Sequence, residues 1–98
     1  MNNPNKNTFN NLKDTDFKVK KSDETHEIFS LIEVKSVHSH TLAEGQVEPF
    51  ALLFQSNNDN VFEQGTYTLN NTELSDLAIF LVPIGSNETG VQYEAVFT

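Results

Sequence analysis

There is no cysteine, no tryptophan and no arginine in these 98 residues. Without cysteine the chain can form neither a disulfide framework nor a thiolate metal site, which fits a reducing compartment. Without arginine it lacks the planar donor fork that suits phosphate and guanine. Glycine is scarce, with four in all, and no two are spaced to cradle a phosphate. No apolar run approaches the roughly 20 residues of a membrane-spanning helix. The longest, "LAIFLVPI" from Leu77 to Ile84, has eight. The opening "MNNPNKNTFNNLKD" contains no apolar signal core, so no secretory signal is visible. The sequons at Asn70 and Asn87 therefore read as incidental. A cytoplasmic location, or a place in a larger assembly, is expected.

Positive charge is also missing from most of the chain. The net charge is −8, and all six basic residues are lysines within residues 1–35. That stretch holds six acids as well, whereas residues 36–98 hold eight acids and no base. Such a balance repels a polyanion, so direct nucleic-acid binding is not expected. A partner with a basic surface matches better.

What is present is a strand pattern. Residues 1–8 are polar and Asn-rich and read as a flexible arm, which leaves residues 9–98 as one domain. "TFNNLKD" can make a short helical turn that sets Phe9 and Leu12 on the core, capped by Asn7 or Thr8. "DFKVK" alternates Phe17 and Val19 with lysines. "HEIFSLIEVKSVHSH" changes face between Leu31 and Ile32, and a β-bulge there would realign it. "VEPFALLFQ" places Phe50, Leu52 and Phe54 on one side, with Pro49 at a strand end or edge. "GTYTL" points Tyr67 and Leu69 inward.

"NNTELSD" is a polar break that can start one helical turn, capped by Asn71 or Thr72. "LAIFLVPI" is apolar on both faces, as in a strand covered on both sides. If one small domain leaves part of it bare, that part is an interface patch. "VQYEAVFT" turns Val91, Tyr93, Ala95 and Phe97 to the core, and the short Gly85–Gly90 loop makes the last two strands a hairpin. These runs predict an all-β fold: a small antiparallel β-sandwich or barrel of about six strands, with at most a short N-terminal helix. The predicted core is Phe17, Phe29, Phe50, Leu52, Phe54, Tyr67, Leu69, Ile79, Leu81, Tyr93 and Phe97.

Reaction chemistry is harder to find. His38 and His40 stand two apart, on one side of a strand, with Glu44 beyond. Two imidazoles and a carboxylate can bind zinc, iron or manganese. "HSHTLAE" looks like the first half of the cupin metal motif, and "PIG" at Pro83–Gly85 looks like part of the second. The pattern then fails. Ile32 stands where cupins carry glycine, and Glu88 stands where the last histidine belongs. The favoured reading places His38 and His40 at the end of an exposed strand. His26 with Asp23 and Glu24 reads as a solvated turn, and "KVKK" (Lys18 to Lys21) as a solvated strand face guarding an edge. No serine sits in a nucleophile elbow. No catalytic, cofactor-binding or metal-binding residue is assigned, and the purified chain is expected to carry no stoichiometric metal.

"EPFALLFQ", "QGTYTLNN", "LAIFLVPIG" and "YEAVFT" together resemble a family of small uncharacterised bacterial all-β domains. Those domains show a Phe-rich F-x-L-x-F strand, a Q-G-x-Y turn and a closing Y-E/Q-A-V-F. The likeness spans residues 9–98. "NNTELSD" departs from the glycine-containing turn usual before the apolar strand. The family has no assigned activity, so the resemblance supplies no catalytic residue. It implies an accessory or structural role beside phage-tail-collar-like or fibre-like proteins. The expected function is a non-enzymatic structural or protein–protein interaction module, with a protein partner, no nucleic acid and no membrane; a homo-oligomer is compatible with this reading. The alternatives are a small acidic phage-encoded inhibitor of a basic host protein and, behind it, a cupin-like metal-binding enzyme.

Overall fold

A computed structural model describes residues 6–20, 26–36 and 49–97. One short helix, α1 (Lys6–Asn10), precedes six strands: β1 (Asp16–Lys20), β2 (His26–Ser36), β3 (Phe50–Ser56), β4 (Gly65–Asn71), β5 (Leu74–Ser86) and β6 (Val91–Phe97). Every pairing is antiparallel. The strands close into a barrel in the order β1-β2-β3-β6-β5-β4. Two three-stranded meanders, β1-β2-β3 and β4-β5-β6, are joined edge to edge at β3–β6 and β1–β4. Closure removes the free edges that an open sheet would expose. β1 is paired on both sides, so its lysines face solvent from inside the ladder and do not guard an edge.

Period-2 alternation decides what lies inside. Phe17 and Val19 on β1, Leu52 and Phe54 on β3, and Val91, Tyr93 and Ala95 on β6 are all buried. The expected core is found, with Tyr67 and Phe97 packed against it and partly exposed. On β2 the register shifts between Leu31 and Glu33, so Leu31 and Val34 both reach the core. That is the bulge the changed alternation called for. Pro49 lies just ahead of β3. Pro83 sits at a second register shift, between Pro83 and Gly85, where a missing donor is tolerated.

Both ends of the barrel are stoppered by phenylalanine. At one end α1 lays Phe9 against Phe50 and Phe97, with ring centroids 5.8 and 5.5 Å away. Phe50 and Phe97 are themselves stacked at 4.8 Å. The helix begins at Lys6, so Asn7 and Thr8 lie within its first turn and neither is its cap. The stretch read as an arm therefore contributes Lys6, Asn7 and Thr8 to α1, and residues 1–5 lie outside the described residues. At the other end the β3–β4 connection carries Phe62 onto Phe29, Tyr67 and Tyr93. Phe29 and Tyr93 stack at 4.6 Å.

Buried polar groups tie the loops to this core, and among the described residues no buried side-chain nitrogen or oxygen lacks a hydrogen-bond partner. Asn71 donates to Thr15 Oγ1 and to the Asp16 carbonyl, both at 3.0 Å, and accepts from Glu73 N. The last bond is an Asx turn across Thr72 and Glu73. It makes "NNTELSD" a tight β4–β5 hairpin, where a helical turn was expected. Ser56 Oγ accepts from Val91 N at 2.9 Å and donates to the Asn58 carbonyl. Gly90 nestles into the same corner. A Cβ there would lie 2.6 Å from the Ser56 carbonyl oxygen, too close without backbone movement.

Tyr93 closes the Phe62 end chemically as well. Its hydroxyl accepts from Phe62 N at 2.8 Å and faces the Asn60 carbonyl at 3.3 Å. Burial raises its pKa above the usual 10.0, and Tyr67 and Glu27 add to the rise against the Phe62 hydrogen bond. A raised folded-state value means the fold holds the phenolic proton more tightly than the unfolded chain does. That contribution is complete below about pH 10 and is lost as pH climbs through the folded value. Tyr93→Phe is expected to lose about 1–3 kcal/mol at neutral pH, because the buried hydrogen bond from Phe62 N to the Tyr93 hydroxyl is removed. It should also show a shallower alkaline decline than the wild type in urea midpoints measured from pH 8 to pH 11.

Candidate functional site

The residues singled out for chemistry do not converge. His38, His40 and Glu44 lie outside the described residues, as do Asp23 and Glu24. His26 is exposed at the start of β2, opposite Lys20. Among the described residues no group of three His, Asp or Glu side chains is placed to hold a metal. No helix among them is long and apolar enough to cross a membrane.

An open depression of about 380 Å³ lies between α1 and the β4–β5 turn, lined by Thr8, Asn11, Leu12, Thr15, Glu73 and Leu74. Its geometry is structural. Thr15 Oγ1 donates to the Leu12 carbonyl at 2.6 Å and accepts from Asn71. The hydroxyl is therefore committed to holding the α1–β1 connection. That connection passes through Asp14, whose φ of 69° is left-handed and whose N–H donates to the Leu31 carbonyl. Glu73 is the one ionisable group of the lining, so no acid–base pair is assembled there.

The Asn-rich loops at the Phe62 end are equally committed. Gln55 and Asn87 exchange reciprocal amide bonds of 3.2 and 2.9 Å. Asn87 Oδ1 also receives Thr89 N and Gly90 N at 3.0 Å, shaping the β5–β6 turn. Asn58 Nδ2 donates to Glu27. Tyr67 donates to the Glu63 carbonyl at 2.6 Å. Burial and the nearby Glu63 carboxylate raise the Tyr67 pKa, so it stays a neutral donor at ordinary pH.

The outside of the barrel is where the chain departs from ordinary solvated structure. Seven of the eight phenylalanines pack into the core, and the eighth, Phe80, points outward. Phe80 and Ile84 on β5 and Val96 on β6 are each 51% exposed. The expectation that "LAIFLVPI" is covered on both faces is thereby corrected. Ile79 and Leu81 fill the barrel, while Phe80 and Ile84 on the outer side of β5 are each half exposed. Leu53 and Val82 extend this face and are half-buried. In register, Leu53 and Val82 flank Glu94 on its two sides, and Glu33 flanks Leu53. One row across four strands therefore reads Glu33, Leu53, Glu94, Val82.

By contrast, the outer surface of β1 and β4 is polar, carrying Lys18, Lys20, Thr66, Thr68 and Asn70. The exterior is thus divided into a polar side and an apolar, acidic side. Sequence reading missed Glu33 and Glu94 as members of one site, because the row depends on β6 lying between β3 and β5. The signal available was weaker: one strand apolar on both faces in a barrel-sized chain.

No curated protein and no solved structure matches the chain. Residues 4–97, nearly its whole length, match the family described as Domain of unknown function (DUF6916), and the chain belongs to that family.

Proposed function

We propose that this chain is a non-enzymatic structural or protein–protein interaction module, accessory to a larger assembly of the phage-tail-like or fibre-like kind. One observation carries the reading. A chain that packs seven phenylalanines into or against its core leaves the eighth, with Ile84 and Val96, on the outer surface of two neighbouring strands. Exposed apolar side chains grouped in this way favour contact with another macromolecule. The interior is filled by side chains from the strands and by the two end plugs, Phe9 and Phe62, so the working surface is the outside.

A second reading, a small acidic inhibitor of a basic protein, draws on the same side of the barrel, because β5 and β6 carry Asp76 and Glu94 and none of β3 to β6 carries a base. The two differ in the partner. Co-expression with the products of adjacent genes, followed by affinity capture at low and high salt, separates them. The accessory reading expects a stable complex with a neighbouring gene product, associating more slowly as salt rises. A complex with a basic protein encoded elsewhere favours the inhibitor. A lone chain that binds no neighbour and turns over a small molecule would overturn both.

A further inference from the structure

We infer that the outer face of β3, β6 and β5 is a docking site for a protein segment that presents two cationic side chains with an apolar residue between them. The inference rests on the interaction reading above and assigns it a surface and a partner chemistry. Its core is the row Glu33, Leu53, Glu94, Val82, in which each member is the ladder partner of the next.

Three features of the row specify the occupant. Glu94 is half-buried between Leu53 and Val82, and its carboxylate has no ion-pair or hydrogen-bond partner among the described residues. A partner whose apolar side chain covers Leu53 or Val82 also encloses the neighbouring Glu94, so a cation brought to it there gains more than at an open surface. Glu33 stands two strands from Glu94, about 10 Å at ordinary strand spacing, with Leu53 between them. The complementary segment therefore carries lysine or arginine at both flanks and an apolar side chain in the middle. Phe80, Ile84 and Val96 continue the apolar ground beyond Val82 and Glu94 and give the segment further area to cover.

A second copy of the chain fits this face poorly. β3 to β6 bear no basic residue, and the base nearest the row is Lys35, at its rim beside Ala51. A twofold contact would bring the carboxylates of two chains, each with a net charge of −8, toward one another. Every strand has a ladder neighbour on both sides of the closed barrel, so docking onto the outer face, and not strand addition, is the mode inferred.

The test uses a displayed library of random 12-residue peptides selected on the full chain, with winners synthesised and measured by fluorescence anisotropy. Enriched peptides should carry two lysines or arginines around an apolar residue. Their Kd should weaken at least about tenfold in Glu94→Lys, by a smaller factor in Glu94→Gln, and again in Phe80→Ser. Peptides with the two cations replaced by glutamate should bind Glu94→Lys better than wild type, a reversal that a merely structural role of Glu94 would not produce. Thermal melts of each variant confirm that the barrel is intact. Enriched peptides without basic residues, or basic ones indifferent to all three substitutions, would overturn this surface and leave the interaction reading standing. Failure to enrich any peptide would count against both. A wild-type dimer in sedimentation, lost in Phe80→Ser, would replace the segment with a second copy.

Discussion

A chain ending at Gly90 is expected not to fold. β6 is the one strand that joins the two meanders on the β3 side, pairing with β3 from Gln92 to Phe97 and with β5 from Val91 to Glu94. Without it β3 and β5 become edges, and the barrel opens along its most apolar seam. Val91 and Tyr93 each remove an apolar side chain from water, worth roughly 1.5–3 kcal/mol apiece, and partly buried Phe97 adds a share of that. Ala95 is buried beside them. Together they amount to much of the 5–15 kcal/mol that ordinarily separates a folded domain of this size from its unfolded state. Tyr93 also holds Phe62 N, so the plug at that end is lost with the strand. The measurement is a urea titration followed by far-UV circular dichroism, with an amide-proton spectrum of the truncated chain. A cooperative transition and dispersed amide signals in that chain would mean that β6 is a covering strand and not a closing one.

Much of this arrangement was legible in the residues. The strands β1, β3, β4 and β6 follow from two-residue alternation, which needs no knowledge of the partner strand. The β2 bulge was legible because the apolar set changes face between Leu31 and Ile32, and one inserted residue is the least disruptive remedy. The "NNTELSD" turn was misread for a physical reason. Asn, Thr and Ser side chains bond nearby backbone N–H groups both in helix caps and in Asx turns, and the choice is made by where the flanking strands must go. Here Asn71 is buried against Thr15 and Asp16, and that non-local contact selects the hairpin.

Phe62 was passed over as a core residue because it follows a polar loop and belongs to no strand. Its pairing with Tyr93 spans 31 residues and leaves no local trace. The same holds for the outer row. Glu33, Leu53, Glu94 and Val82 come from four strands, and only the order β2-β3-β6-β5 brings them together. Sequence could say that β5 has apolar residues on both faces. Which face goes inward is set by the register with β4, where Tyr67 meets Ile79 and Leu69 meets Leu77. The histidine pair at 38 and 40 lies outside the described residues, and elemental analysis of the purified chain tests its expected lack of stoichiometric metal directly.

Two phenylalanines measure the difference between what this chain needs for folding and what it carries for another purpose. Phe9 is fully buried, although it sits in a helix of five residues near the start of the described chain. It packs against the stacked pair Phe50 and Phe97, and no other side chain of α1 is buried. Phe9→Ala should therefore leave a cavity at that end of the barrel and cost about 3–5 kcal/mol. Phe80 belongs to the longest strand, yet half of its surface meets water. Its ladder partner on β4 is Thr66, a small side chain that offers little apolar cover. Phe80→Ala should cost less than about 1 kcal/mol, as substitutions away from buried features usually do. Urea midpoints of the two variants, measured side by side, decide the matter. Equal losses would mean that Phe80 packs on the barrel as part of the fold, and the outer face would then lose its claim to be a binding surface. The expected inequality, joined to loss of peptide binding in Phe80→Ser, places this side chain outside the folding core and within the docking site.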